Sequence, residues 1–399
     1  MSSPSAPITL FTTIHHSPQA FEQLRDEWNE AVRQAQRPSL FVTPLFLECT
    51  WRHHADAGDE LWLVIVRDEA ERMVGALPLV RTTARRMGLA VHTLHHLGQW
   101  SGDRAGVLHL IDADRVWQAA LEAVVAQQEH WHHLDLREVE QTAWPVRDAA
   151  SMQAWAGVGV RPTVRPDTWC GALTIQGDWD DYFASRTKNT RQGFRRRERL
   201  MKEAFPDLAV EIVDDEAGIG AAFERYIAIE RLGWKAEQRI GIWQDPREAE
   251  MHRELLPRLA ATGQASVWLL RGGGRDIAGL VRLHQGPICY ERYSSYDPAE
   301  ARFSPGTWLC MEAVRQLFGT DCIESDVLGM HEPLQDRPAI SAWYDIERPT
   351  VRLTATRTHL GRYLAQQAGQ AAQLVRAHPA RSAALSAAMA MAASITLID

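Results

Sequence analysis

The chain has 399 residues, 45% of them apolar and 24% charged, with 51 acidic side chains against 43 Lys and Arg. That balance excludes a disordered chain, a collagen-like chain and a multi-span membrane protein. The formal charge of -8 makes the chain a poor general nucleic-acid binder, so no DNA partner is expected and RNA is a weak candidate.

The N-terminus has no basic segment followed by an apolar run, so no signal peptide is expected and the default location is cytoplasmic. The five cysteines lack Cys-x-x-Cys spacing, which suits a reducing compartment. Pro18 to Arg33 places Phe21, Leu24, Trp28 and Val32 at spacings of three and four, the pattern of an amphipathic helix. Glu60 to Arg81 reads as two β-runs around a polar turn, a hairpin. A β-like stretch (Val91 to Leu97), a loop with Asp103 and Gly106, a helix (Arg115 to Gln128) and the strand Leu134 to Leu136 follow. Gly157 to Pro166 holds two Gly and two Pro without periodicity, and marks the expected boundary of a first domain, 1–165.

Helices are expected over Asp178 to Glu203 and Gly218 to Leu232. A second hairpin spans Ala265 to Arg282, and a β-run covers Ile288 to Ser295. The loop Asp297 to Gly306, a helix (Thr307 to Phe318) and a strand (Ile323 to Val327) complete a second domain, 166–357. The Ala/Gln-rich remainder, 358–399, reads as a helical tail interrupted at Pro379. The order hairpin, strand, loop, helix, strand thus occurs twice, about 200 residues apart. Each hairpin ends its first run on Arg (Arg67, Arg271) and carries a Gly in its second (Gly75, Gly279). Two copies of one α/β domain, each a mixed, mostly antiparallel sheet flanked by helices, account for the echo.

Three segments carry candidate chemistry. At Ser304-Pro305-Gly306-Thr307 a helix begins after a strand and a Gly loop. Free amides at a helix start, with the dipole behind them, attract phosphate, and an ordinary capped turn is the plain alternative. Arg186 to Lys202 carries eight basic residues and one acidic one, Glu198, a local anion-attracting surface in an acidic chain. It suits a nucleotide-linked donor, an anionic glycan or an acceptor phosphate, or is simply a solvated face. Glu230 and Lys235 flank Trp234. A carboxylate in a partly dry site can take a proton from an amine, and Glu230 heads that candidacy, with Asp297 and Asp326 behind it. Lys235 suits an acidic substrate group. Tyr290, Tyr293 and Tyr296 lie on one β-run, and a phenol there can protonate a leaving thiolate. The His92/His95/His96 and His130/His132/His133 groups lack metal-ligand spacing, so no metal is expected. No nucleophile elbow or phosphate-binding P-loop is present.

These segments resemble the acetyltransferase domain of CelD-type cellulose-biosynthesis proteins, in the GNAT superfamily, over roughly Trp179 to Trp343. The resemblance is carried by Ser185-Arg186 opening a basic helix, Glu230 with Trp234-Lys235, and Asp276-Ile277-Ala278-Gly279. Asp297 with Ser304-Pro305-Gly306 and Asp326 with Gly329 complete it. The first half, with Phe41-Val42-Thr43-Pro44 and Gly75-Ala76-Leu77-Pro78-Leu79, is similar to the degenerate partner domain of that family. The tandem is also similar to FemAB-type peptidoglycan aminoacyltransferases. Phe303 and Trp308 stand where the usual phosphate loop has Gln or Arg and a small residue. The resemblance implies transfer of an acyl group from acetyl-CoA or another acyl-CoA to an amine of a polar acceptor, such as a sugar or an exopolysaccharide precursor. It implies Glu230, Asp297 and Tyr293 as catalytic, and Ser304, Gly306 and Thr307 against coenzyme A. Trp234, Lys235, Arg186, Asp326 and Gly329 would meet substrate. An aminoacyl-tRNA donor, or a non-catalytic scaffold, is the alternative.

Overall fold

The structure, a computed structural model, describes residues 9–357 except 36, 38, 87–88, 104–105, 148–159, 234–240 and 331–332. The expected tail 358–399, and Trp234 and Lys235, lie outside the described residues. In chain order the first half runs β1 (Phe11–His15), α1 (Ala20–Gln23), α2 (Arg25–Gln34), α3 (Pro44–His54), β2 (Glu60–Arg67), β3 (Met73–Arg86), β4 (Leu89–His96), β5 (Leu108–His109), α4 (Ala113–Ala126) and β6 (His133–Glu140). The second runs β7 (Val160–Thr174), α5 (Trp179–Ser185), α6 (Lys188–Ala204), β8 (Ala209–Val213), α7 (Ile219–Leu232), α8 (Pro246–Ala260), β9 (Ala265–Gly272), β10 (Arg275–Gln285), β11 (Ile288–Tyr296), α9 (Pro305–Leu317), β12 (Glu324–Met330) and β13 (Ile346–Arg357).

Both expected hairpins form, with β2 on β3 and β9 on β10. Left-handed Gly273 and Gly274 turn the second, a conformation that side chains disfavour. One sheet runs through both halves in the order β1-β2-β3-β4-β6-β13-β7-β12-β11-β10-β9-β8, with β5 against β3. Each half holds one parallel pair, β4 on β6 and β11 on β12, as the strand-helix-strand connection requires. The remaining pairs along the sheet are antiparallel. Duplication reaches finer detail. β6 and β12 each slip register against a central strand, and each holds one left-handed residue there, Glu138 and Leu328. Thr43-Pro44 and Asp245-Pro246 each follow a short 3-10 turn and cap a helix.

The centre of the sheet exchanges strands. β7 follows the first half in sequence but pairs with β12 of the second, and β13 ends the second half but pairs with β6 of the first. The expected boundary at residue 165 therefore falls within β7. Thr168 and Thr350 meet where β7 and β13 cross, 2.9 Å between hydroxyls, both buried. The Thr350 hydroxyl also accepts from the Thr168 amide and donates to the Thr168 carbonyl, so both hydroxyls are partnered at the pairing.

Among the described residues four apolar clusters fill the two faces. One joins α7, α8 and β9–β11 of the second half with Leu40, Phe41, Phe46 and Cys49 of the first. Helices α3 and α8 pack side by side across the junction. Another joins α4 to β2–β4 and β6. Among the described residues no helix is long and apolar enough to cross a membrane.

Candidate active site

β11 and β12 pair only over Ile288–Tyr290 and Glu324–Asp326, and then part. β11 also bulges against β10. Val281 faces Tyr293 and Arg282 faces Glu291, which leaves Arg292 as the extra residue. A bulge breaks the alternation of side chains and re-aims the strand. Arg292 and Tyr293 consequently both reach the α8 side, where each meets Glu248.

Around Glu248 a buried polar cluster spans the two halves. Tyr293 donates its hydroxyl to Glu248 Oε1 at 2.6 Å, and Ser101 of the first half does so at 2.8 Å. Arg292 donates to Glu248 Oε1 at 3.1 Å, to Asp103 Oδ2 at 2.6 Å and to the Ser101 carbonyl. His54 Nε2 lies 3.1 Å from Glu248 Oε2, and His252 Nδ1 lies 2.9 Å from the Glu248 carbonyl. Burial opposes ionisation of Glu248. The neighbouring His252, His54 and Arg292 and the Tyr293 hydroxyl outweigh it and hold the carboxyl well below its ordinary range. Burial pushes the Tyr293 phenol well above its ordinary value, so it stays protonated. Asp103 closes the cluster by accepting from the Gly329 amide of β12 at 3.1 Å.

Glu230 is 1% exposed on α7. Its oxygens accept from the Tyr226 hydroxyl at 3.1 Å and the Ile242 amide at 2.7 Å, and the Tyr226 ring lies 6.4 Å from that of Tyr293. Glu230 and Tyr293 thus share one face of the sheet. Asp326, fully buried, accepts from the Leu328 amide and lies 3.6 Å from Arg348. Asp297 sits apart at the end of β11. It caps the following turn through the Ala299 amide and pairs with Arg275.

The turn after β11 leads to α9. Ser304 is left-handed, with φ of 49°, and makes no side-chain cap. Pro305 occupies the first helical position, where its missing N–H costs nothing. The first turn carries no acid, and the Gly306 and Thr307 amides have no hydrogen-bond acceptor among the described residues. A Cβ on Gly306 would stand 3.2 Å from the Tyr296 ring, so the turn lies tight against β11. The rings of Phe303 and Trp308 turn inward. Phe303 packs edge-on against Phe205, and Trp308 stacks 6.3 Å from Phe194 of α6. Arg186 lies on the α6 side, over the Tyr182 ring and 3.4 Å from Asp345.

The fold therefore gathers Tyr293, Glu230 and Gly329 around the α7/α8 face. It leaves Ser304, Gly306, Thr307 and Arg186 on the α6/α9 side, and Asp297 at the edge. Sequence reasoning passed over Glu248, Arg292, Ser101 and His252. The one available signal was Glu248 and His252 four apart on a helix, an ordinary spacing. Among the described residues no group of three or more His, Cys, Asp or Glu is arranged to hold a metal.

Residues 188–336 match the Acetyltransf_6 family model, described as the acetyltransferase (GNAT) domain. No curated protein matches the chain. Among solved structures, FemX is similar at 10% identity and TM-score 0.57, over 86% of this chain and 96% of that one. A conserved protein of unknown function from Bacteroides thetaiotaomicron is similar at 10% identity and TM-score 0.53, over 86% of this chain and all of that one. A tandem GNAT protein from the clavulanic acid biosynthesis pathway aligns at 13% identity and TM-score 0.42, over 88% and 99%. The second half holds an acetyltransferase (GNAT) domain, and the chain is an acyltransferase.

Proposed function

We propose that this chain moves an acyl group from a coenzyme A thioester to an amine of a polar acceptor, of the sugar or exopolysaccharide-precursor kind. In this reading residues 166–357 act and 1–165 brace them. The observation that carries it is the start of α9, uncapped and free of acid, at the end of a bulged strand that parts from its parallel neighbour. Two amides and a helix dipole there suit a pyrophosphate. A bound acyl-CoA supplies the activated acyl group. Gly306 and Thr307 hold its phosphates, and Ser304 sets the turn.

Glu230 is the base for the attacking amine. Its burial keeps competing water away, and its hydrogen bonds to Tyr226 and Ile242 fix its direction. Tyr293 is the proton donor, kept as a phenol by burial. Glu248 and Arg292 orient it from behind. Asp326 and Gly329 serve the acceptor, Arg186 on the α6/α9 side meets an anionic substrate group, and Trp234 and Lys235 are further candidates for substrate contact. Asp297 supports the turn through its cap and through Arg275.

A thermal-shift series with coenzyme A and acetyl-CoA tests this. A ligand at about 100 times its dissociation constant stabilises by about 2.7 kcal/mol. The wild type is expected to shift, and Thr307→Glu, which puts a carboxylate into the bare first turn without crowding the buried Gly306, to keep its ligand-free midpoint within a few degrees while losing the shift. Absence of a shift in the wild type at millimolar ligand would overturn the reading.

A further inference from the structure

Helix α6 carries charge that its own stability does not explain. Lys188 and Arg191 stand in its first turns, where the helix dipole disfavours cations, and no acid balances them there. Lys188, Arg191, Arg195, Arg199 and Lys202 follow one another at steps of three and four, and so share one face. At 1.5 Å per residue that face runs about 21 Å. Phe194 and Met201 are buried against α9 and the 343 region on another face, so the cationic face looks outward.

The charge is largely unspent. Arg199 and Lys202 have only local partners, Glu203 and Glu198. Lys188, Arg196 and Arg197 make no ion pair among the described residues, and the Arg191 Nε is hidden from solvent without a hydrogen-bond partner. A shallow groove of about 380 Å³ lies along the stripe, lined by Arg195, Glu198, Arg199, Lys202 and Glu203.

We propose that this face is a docking groove for an acidic polysaccharide, the polymer whose residues the site acylates. The occupant follows from the lining. Arg195, with Arg199 and Lys202 exchanged from their surface pairs to Glu203 and Glu198, meets carboxylates of the polymer, while the two glutamates accept from its hydroxyls. The ring on α6, Phe194, is buried, so no stacking platform for bases faces out. The large exposed apolar side chains, Phe11, Ile212, Leu232 and Ile323, all lie off α6, so nothing on this face inserts into a bilayer. The Phe194–Trp308 stack ties the groove to the first turn of α9. A bound polymer therefore lies beside the donor turn, and its role as acceptor rests on the acyl-transfer reading above.

Fluorescence anisotropy with labelled polygalacturonate tests the groove on the full chain. Binding is expected at 50 mM salt and about tenfold weaker at 200 mM, because counterions are released. The triple variant Arg195→Gln/Arg199→Gln/Lys202→Gln should bind at least about tenfold more weakly, with its thermal midpoint unchanged. A control triple, Arg33→Gln/Arg85→Gln/Arg165→Gln, should bind like the wild type. Equal loss in both triples, no binding at 50 mM, or tighter binding of tRNA or of phosphatidylglycerol vesicles overturns the proposal. The coenzyme A thermal shift is read on the same samples. A shift without polymer binding sinks the groove alone, and polymer binding without a shift sinks the acyl-transfer reading alone.

Discussion

The strands that open the two parallel pairs, β4 and β11, lead to their following helices in opposite ways. In the first half the connection from Leu97 to Asp112 leaves its own domain. Ser101 and Asp103 reach Glu248, Arg292 and Gly329 of the second half. The helix it leads to, α4, is closed by its own acids, with Asp112 accepting from the Asp114 amide. In the second half the connection from Asp297 to Ser304 folds back on itself, and α9 begins uncapped and without acid. A helix start lined with carboxylates repels an anion, whereas a bare one attracts it. One copy has become a strut and the other has kept an open end, which is how a duplicated fold can divide bracing from binding.

The strut should be the costlier part to damage. Arg292→Met leaves the half-buried Glu248 and Asp103 without their shared cation, and breaking such a pair costs up to about 3–5 kcal/mol. Urea unfolding measures it, and a loss below about 1 kcal/mol would mean that the connection does not brace the second half. The same connection should be acid-sensitive. His96 is fully buried at its start, with Nδ1 3.1 Å from the Gly98 amide and Nε2 2.9 Å from the Gly106 carbonyl. Its neutral form satisfies both contacts. Burial lowers its pKa to about 4. The folded value lies below the unfolded one near 6.5, so this stability is complete above pH 6.5 and is lost as pH falls toward 4. The slope is up to about 1.4 kcal/mol per pH unit. Between pH 6.5 and 4.5 the wild type should lose stability more steeply than His96→Leu, and equal slopes would remove His96 from the strut.

The hairpins, and the strand, loop, helix and strand that follow each, were legible in the sequence, because they rest on local periodicity and turn chemistry. The central strands were not. Val160 to Pro166 is broken by Pro162 and Pro166, and in the run from Ile346 the buried alternation of Val351, Leu353 and Ala355 follows an opening of Glu, Arg and Pro; each strand pairs on both sides and draws its order from the exchange. Asp178 to Glu203 read as one helix, but Arg186 and Thr187 are extended, and Thr187 caps α6 anew. Gly75 and Gly279 echo one another in sequence yet serve opposite faces. Gly75 makes room for Val116 of α4, and Gly279 for Tyr226 of α7. The Glu248 cluster was invisible for a plainer reason. Its members are scattered from His54 to Tyr293, and only the fold brings them together.

The smallest tests separate the two helix starts. Asp112→Ala removes the cap of α4 and should cost about 1 kcal/mol, with no effect on ligand shifts. Ser304→Gly removes a side chain from a left-handed position where it makes no cap. Relief of that strain outweighs the added backbone freedom of glycine, so a gain of about 0.5 kcal/mol is expected. Because the Gly306 and Thr307 amides keep their directions, the coenzyme A shift should survive in Ser304→Gly. A destabilised Ser304→Gly protein would show that the hydroxyl holds the turn, and the bare helix start would then be a capped one like its counterpart in the first half.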